Sequence, residues 1–200
     1  MQLTPGTDVT GILADIEPKQ RALPYLELDS MMLAQVVEVA QMVSQNDINS
    51  THIQNWVRRK FIPNPIKKKY SREQVANILL INELRNILPL EQIKGLLSFV
   101  NQDLLQTDDD RINPTKLYRY YCEIFDRATL DWKKSLQDLE REVGGVLAQE
   151  ELTGQDKTTV TTTLLILNLL ARANFYKLIA EDWLSSLAAQ EQPGEKEGRE

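Results

Sequence analysis

The sequence predicts an all-α protein in which a small helical module is followed by a long helical hairpin. Apolar residues recur three and four positions apart through most of the chain, as expected for helices that each bury one face. No stretch alternates apolar and polar residues for more than a few positions, so extended strands have little support. The 200 residues, 42% of them hydrophobic and 26% charged, are sufficient for a folded core.

Breaks in the helical pattern divide the chain into four predicted parts. Prolines punctuate the first part, and the polar run QTDDDRIN separates the two helical parts. The parts are an irregular N-terminal arm at residues 1–28, a helical domain at 29–105, a two-helix scaffold or dimerisation region at 113–190, and a flexible tail at 191–200.

Capping residues mark the first two helices of the domain. Asp29 or Ser30 is predicted to cap a helix that ends near Val43, and Asn49 is predicted to cap a second helix. That second helix cannot continue into Pro63, because proline lacks the backbone N–H and disfavours helical geometry in the residue before it.

Two more helices follow a short basic segment. Ser71 and Gln74 fit a capping box, in which each side chain accepts a hydrogen bond from the backbone N–H of the other residue. Pro89 is placed near the first turn of the next helix, where proline is well tolerated. These helices complete the predicted first domain.

The second half is predicted to contain two long helices, one from Pro114 to about Gln149 and one over about residues 158–189. The first carries a coiled-coil-like apolar seam. Its members are Leu117, Tyr121, Ile124, Ala128, Trp132, Leu136, Leu139, Val143 and Val146. Two arrangements stay open: a homodimer through the seam from Leu117 to Val146, or a hairpin within one chain.

The expected location is the cytoplasm. A single cysteine cannot form an internal disulfide, and the N-terminal residues lack the pattern of a signal peptide. The most apolar run, residues 164–170, is too short to cross a bilayer. No membrane partner is therefore expected.

Catalysis is not expected, and neither a cofactor nor a metal is predicted. The sequence has no Gly-rich phosphate loop and no nucleophile elbow. His52 and Cys122, the only residues of their types, are a poor metal-ligand set. The run from Asp108 to Asp110 is interpreted as a solvated loop rather than a metal site.

Positive charge is concentrated in the middle of an acidic chain. The whole chain has a formal net charge of −6, yet residues 51–72 contain seven cations and no carboxylate. The cations form two groups, at residues 58–60 and 67–69, on either side of a proline-rich turn. This pattern favours phosphate contacts with double-stranded DNA. A surface that binds an acidic protein partner is the alternative.

At these residues the sequence resembles a known family. The segment with Arg58, then Phe61-Ile62-Pro63, then Tyr70-Ser71, then Leu90-Glu91-Gln92-Ile93 resembles the winged helix-turn-helix domain of MerR-type bacterial transcription regulators. Residues 30–130 are also similar to an uncharacterised bacterial family, a domain of unknown function. The resemblance implies a MerR-like winged helix-turn-helix fold and a role in transcription regulation.

The resemblance also implies which residues contact DNA. Asn55 stands where the family usually has tyrosine, and Lys60 stands where it usually has a helix-ending glycine, so base specificity is not transferred. The residues expected at the interface are Thr51, His52, Gln54, Asn55, Arg58, Arg59, Lys67, Lys68, Lys69, Tyr70 and Arg72.

A third possibility is a ligand-sensing helical pocket in the second half of the chain. Its lining would come from Tyr118, Tyr121, Trp132 and Phe175. Core packing explains the same aromatic residues, and the sequence identifies neither an effector nor an operator.

Overall fold

The computed structural model describes residues 18–106 and 108–190. Helices account for 74% of the structure, and the sheet has only two short strands, so the predicted predominantly helical class is confirmed. In chain order the elements are a 3-10 helix Lys19–Glu27, β1 Ser30–Met32, α1 Leu33–Val43, α2 Ser50–Arg58, β2 Lys69–Ser71, α3 Arg72–Leu84, α4 Leu90–Asn101, α5 Pro114–Val146, a 3-10 turn Leu147–Gln149 and α6 Gly154–Gln190.

The two strands form an antiparallel ribbon that the sequence did not reveal. Met31 of β1 lies opposite Tyr70 of β2, and both side chains are buried. Because this pairing keeps residues 30–32 extended, α1 begins at Leu33 rather than after Asp29 or Ser30. The predicted N-cap of this helix was therefore wrong.

Two other predicted caps are confirmed. The Asn49 side chain accepts a hydrogen bond from the His52 N–H at the start of α2. At the start of α3, the Ser71 hydroxyl accepts from the Gln74 N–H at 3.3 Å, and the Gln74 side chain accepts from the Ser71 N–H at 2.8 Å. Each cap satisfies backbone donors that a helix leaves open at its N-terminus.

The first compact unit extends through the polar run that was expected to end it. Contacts group residues up to Ala128 into this unit, because Tyr118 and Cys122 of α5 are fully buried in its core. Lys19 is also buried there, and its ammonium group pairs with the Glu83 carboxylate at 2.8 Å. The described part of the polar run, residue 106 and residues 108–113, therefore lies within this unit rather than at its end.

The second unit contains the end of α5 and helix α6. Leu139, Val143 and Leu147 are buried there and pack against half-buried residues of α6 such as Leu164. The Arg172 guanidinium also donates to the Ser135 hydroxyl at 2.9 Å. This part of the α5 seam is thus covered by α6 of the same chain, which is the arrangement expected for a hairpin within one chain.

Helix α6 is longer than the sequence pattern indicated. It begins at Gly154 and contains the apolar run at residues 164–170 within 37 helical residues. Within the part of the chain that the structure describes, it is the one helix long and apolar enough to cross a membrane, judged by length and composition only. The predicted tail at 191–200 and most of the predicted arm, residues 1–17, lie outside the described residues.

Candidate nucleic-acid interface

Helix α2 presents a polar face above a buried apolar face. Ile53 and Trp56 are almost fully buried and fix the helix to the core. Thr51 and Gln54 are exposed on the opposite side. Short polar side chains at such positions can reach the edges of base pairs when a helix lies in the major groove.

Two predicted contact residues on α2 also have structural contacts. The His52 ring nitrogen Nδ1 accepts from the Asn49 N–H at 3.3 Å, and the ring stacks on Trp56 with centroids 6.5 Å apart. Asn55 accepts a hydrogen bond from the Arg58 guanidinium at 2.7 Å. His52 therefore belongs to the N-terminal cap of the helix, while Asn55 and Arg58 form a polar pair on its surface.

The C-terminus of α2 is closed by a lysine in left-handed backbone conformation. Lys60 has φ of 60°. Its N–H donates to the Val57 carbonyl at 3.0 Å, and the Phe61 N–H donates to the Trp56 carbonyl at 2.9 Å. This is a Schellman motif, in which glycine is the usual residue at the left-handed position. The exposed Lys60 is an interface candidate that the predicted set of contact residues omitted.

Two more residues with left-handed backbone conformation form the tip of the basic hairpin. Ile66 and Lys69 exchange backbone hydrogen bonds at 2.9 and 3.0 Å, which leaves Lys67 and Lys68 as the two central turn residues. Their φ angles are 50° and 64°. Positive φ at both central positions defines a type I′ turn, which strongly prefers Asn-Gly. The turn displays two ammonium groups to solvent.

The hairpin lies beside the polar face of α2. Gln54 and Val57 from the helix, with Pro65 and Lys68 from the hairpin, line one surface groove of about 490 Å³. Gln74 holds the intervening loop by donating to the Pro63 carbonyl at 2.9 Å. The structure therefore brings the helix and the basic hairpin together on one face, although seven residues, 59–65, separate them in the chain.

The predicted phosphate-binding cations differ in how they are paired. The Arg59 guanidinium bonds to the Glu91 carboxylate at 2.8 Å, and that of Arg72 bonds to Asp29 at 3.2 Å. Within residues 18–106 and 108–190, the exposed Lys67, Lys68 and Lys69 form no ion pair. The lysines can therefore contact phosphates directly, whereas the two arginines must first exchange a carboxylate partner.

Tyr70, predicted at the interface, is buried rather than exposed beside the three lysines. Its side chain is 3% exposed and packs in the core. Burial also raises the pKa of its hydroxyl, so the group stays neutral at physiological pH. The sequence placed it at the interface because it adjoins three lysines, but alternation along a strand turns neighbouring side chains to opposite faces.

The aromatic residues considered for a ligand pocket are divided between the two units. Tyr118 is fully buried in the core of the first unit, whereas Phe175 is 61% exposed in the second unit. Tyr121 makes tilted ring contacts with Tyr118 and Phe125, at centroid distances of 6.1 and 5.7 Å. These contacts support core packing in the first unit.

Comparison with known proteins gives one family. Residues 18–121 match the family described as a domain of unknown function, DUF1836. This match covers the 3-10 helix, the ribbon, α1 to α4, the beginning of α5 and every residue of the candidate interface. No curated protein and no solved structure matches the chain.

Proposed function

The chain belongs to the DUF1836 family, and from this starting point we propose that it is a cytoplasmic DNA-binding protein of MerR-like winged helix-turn-helix type that regulates transcription. In this proposal α2 is the recognition helix, the hairpin at residues 66–69 is the wing, and the protein has no enzymatic activity. The residues of the candidate interface, apart from Tyr70, supply the contacts.

The observation that carries the proposal is the wing tip. Lys67 and Lys68 occupy backbone positions that favour Asn and Gly, and each left-handed residue other than glycine costs about 1–2 kcal/mol. Strained, exposed backbone is typical of functional sites. Two exposed ammonium groups that form no ion pair with any residue the structure describes are well suited to phosphates, which accept lysine as a point charge without strict geometry.

The neighbouring helix α2 supplies side chains that can contact bases, which a phosphate-binding hairpin lacks. Thr51 and Gln54 can donate and accept hydrogen bonds at base edges. Lys60 and Arg58 stand at the C-terminal end of the same helix, where they can contact the DNA backbone. Phosphate contacts position a protein on DNA, and base contacts give sequence preference, so both functions have candidate residues on one face.

Binding to random duplex DNA tests this assignment. The triple change of Lys67, Lys68 and Lys69 to alanine is expected to weaken binding and to reduce its salt dependence, because each lost phosphate contact removes about 0.9 from the slope of log K against log salt. Fluorescence anisotropy at several salt concentrations measures both quantities. Unchanged binding by the triple variant would show that the wing does not contact phosphates.

A matched control separates local contact from net charge. Lys116, Lys134 and Lys157 are also exposed but lie outside the candidate interface. Their triple change to alanine alters net charge by the same amount, so it is expected to leave DNA binding nearly unchanged. Equal losses in both triple variants would indicate non-specific charge attraction rather than a DNA site.

The regulatory part of the proposal needs a genomic readout. Chromatin capture followed by sequencing is expected to recover sites near promoters that share a two-fold symmetric element, because two copies of so small a module read enough base pairs for specificity. Capture of an acidic protein without DNA enrichment would instead favour the protein-binding alternative.

A further inference from the structure

Helix α6 is apolar on every side along residues 164–170, and most of the surface of the whole helix is uncovered. None of its 37 residues is buried. Its N-terminal third packs on α5 within the second unit, but large side chains farther along the helix face solvent. The most exposed of them are Leu167, Leu170, Phe175, Tyr176, Leu178 and Trp183, which are 55–68% exposed.

This uncovered surface is too large for a soluble single chain. The exposed parts of the large apolar side chains of α6 amount to roughly 1,000 Å², since an aromatic side chain alone buries about 150–250 Å². The largest apolar patch on a monomeric protein is typically about 300–600 Å². A standard interface buries about 800 Å² on each partner, so this helix alone provides enough area for a stable one.

A bilayer does not fit the charge pattern of the helix. The longest stretch of α6 without a charged side chain is residues 158–171, or 14 residues. At about 1.5 Å per residue it spans roughly 21 Å, whereas the hydrocarbon core is about 30 Å thick. Any longer span would place Lys157 or Arg172 inside the bilayer, at a cost of about 2.5–3.5 kcal/mol near its centre.

We infer that the surface of α6 is covered by α6 of a second copy of this chain. A helix that is apolar all round is typically surrounded by other elements, and α5 of its own chain covers only one side. Two hairpins related by a two-fold axis form a four-helix bundle in which the two α6 helices pack against each other. Such a face is self-complementary, because it carries few charges that would require a different, oppositely charged partner.

The inferred interface is on α6, not on the α5 seam. Leu139 and Val143 of the seam are already buried within the hairpin. The inference does not depend on DNA binding, because it concerns only residues 129–190. It supplies the two-fold symmetry that a symmetric DNA site would require.

Sedimentation equilibrium of the full chain at tens of micromolar tests the inference. Wild-type protein is expected to have twice its chain mass of 23.0 kDa. The double change Leu170→Glu and Phe175→Glu is expected to yield a monomer with unchanged helical circular dichroism, because both side chains face solvent within one chain. The control Ile87→Glu alters a residue that is 63% exposed in the first unit, and it is expected to remain a dimer.

Three results would overturn the inference. The first is a monomeric wild-type protein, and the second is a double variant that still dimerises. The third is a wild-type protein that binds phosphatidylcholine vesicles and is monomeric without them, which would assign the α6 surface to a membrane. A variant that loses helicity is replaced by the single change Trp183→Ala, which is expected to raise the dimer dissociation constant by at least tenfold without altering the fold.

Discussion

Replacing Lys67-Lys68 by Asn-Gly is expected to stabilise the protein and weaken DNA binding at the same time. Both lysines have positive φ, at 50° and 64°, and the left-handed conformation costs about 1–2 kcal/mol for each L-residue. Asn retains part of this strain and Gly adds unfolded-state entropy, so the expected net gain in the free energy of unfolding is about 1–2 kcal/mol. Urea unfolding followed by circular dichroism measures the gain.

In the proposed interface, the same variant lacks two of the phosphate contacts. Its salt slope for binding random duplex DNA is expected to fall by about 1.8, or about 0.9 for each contact. The double change Lys67→Arg and Lys68→Arg is the matched control, because it keeps both the positive charges and the left-handed strain. A variant that is no more stable than wild type would refute the strain argument. Unchanged DNA binding would refute the role of the wing in phosphate contact.

Three further changes test the account. Lys60→Gly is expected to stabilise the protein by about 1 kcal/mol in urea unfolding, because glycine relieves the left-handed strain. The control Lys60→Ala removes the same charge but keeps the strain, so it is expected to give no such gain. Lys19→Met leaves the Glu83 carboxylate buried without its partner, so it is expected to destabilise the protein by about 3–5 kcal/mol. Adding Glu83→Leu should recover much of that loss, and a tolerated single variant would contradict the pairing. Burial raises the pKa of Cys122 to about 12, and burial also raises the pKa of Tyr121 well above its ordinary value. The folded state holds these protons more tightly than the unfolded state does. The stability that the two groups contribute is therefore fully present below about pH 8 and falls as pH rises toward 12. A urea midpoint independent of pH between 8 and 11 would contradict this.

Local signals predicted the helix starts that depend on neighbouring residues. Asn49 and the pair Ser71 and Gln74 were recognised because a cap is formed by residues a few positions apart. The strand at Met31 was missed because its partner, Tyr70, is distant in sequence. Pairing over such a distance leaves no periodic pattern in a three-residue strand.

Charge and turn residues predicted the candidate site only in part. The cationic groups were evident from composition, but which cations are unpaired depends on acidic residues brought close by folding. Arg59 meets Glu91 and Arg72 meets Asp29, and neither pair is adjacent in sequence. The burial of Lys19 was likewise hidden, because a lysine beside prolines normally indicates an exposed segment.

The salt dependence of wild-type binding to random duplex DNA tests the central claim most directly. With about five phosphates neutralised by the wing and the end of α2, log K is expected to fall against log salt with a slope of about −4 to −5. Fluorescence anisotropy measures this slope. The salt concentration is varied from about 50 to 200 mM, roughly the range in which such slopes are resolved. A slope near zero, or no binding at the lowest salt concentration, would contradict the assignment of this face to DNA.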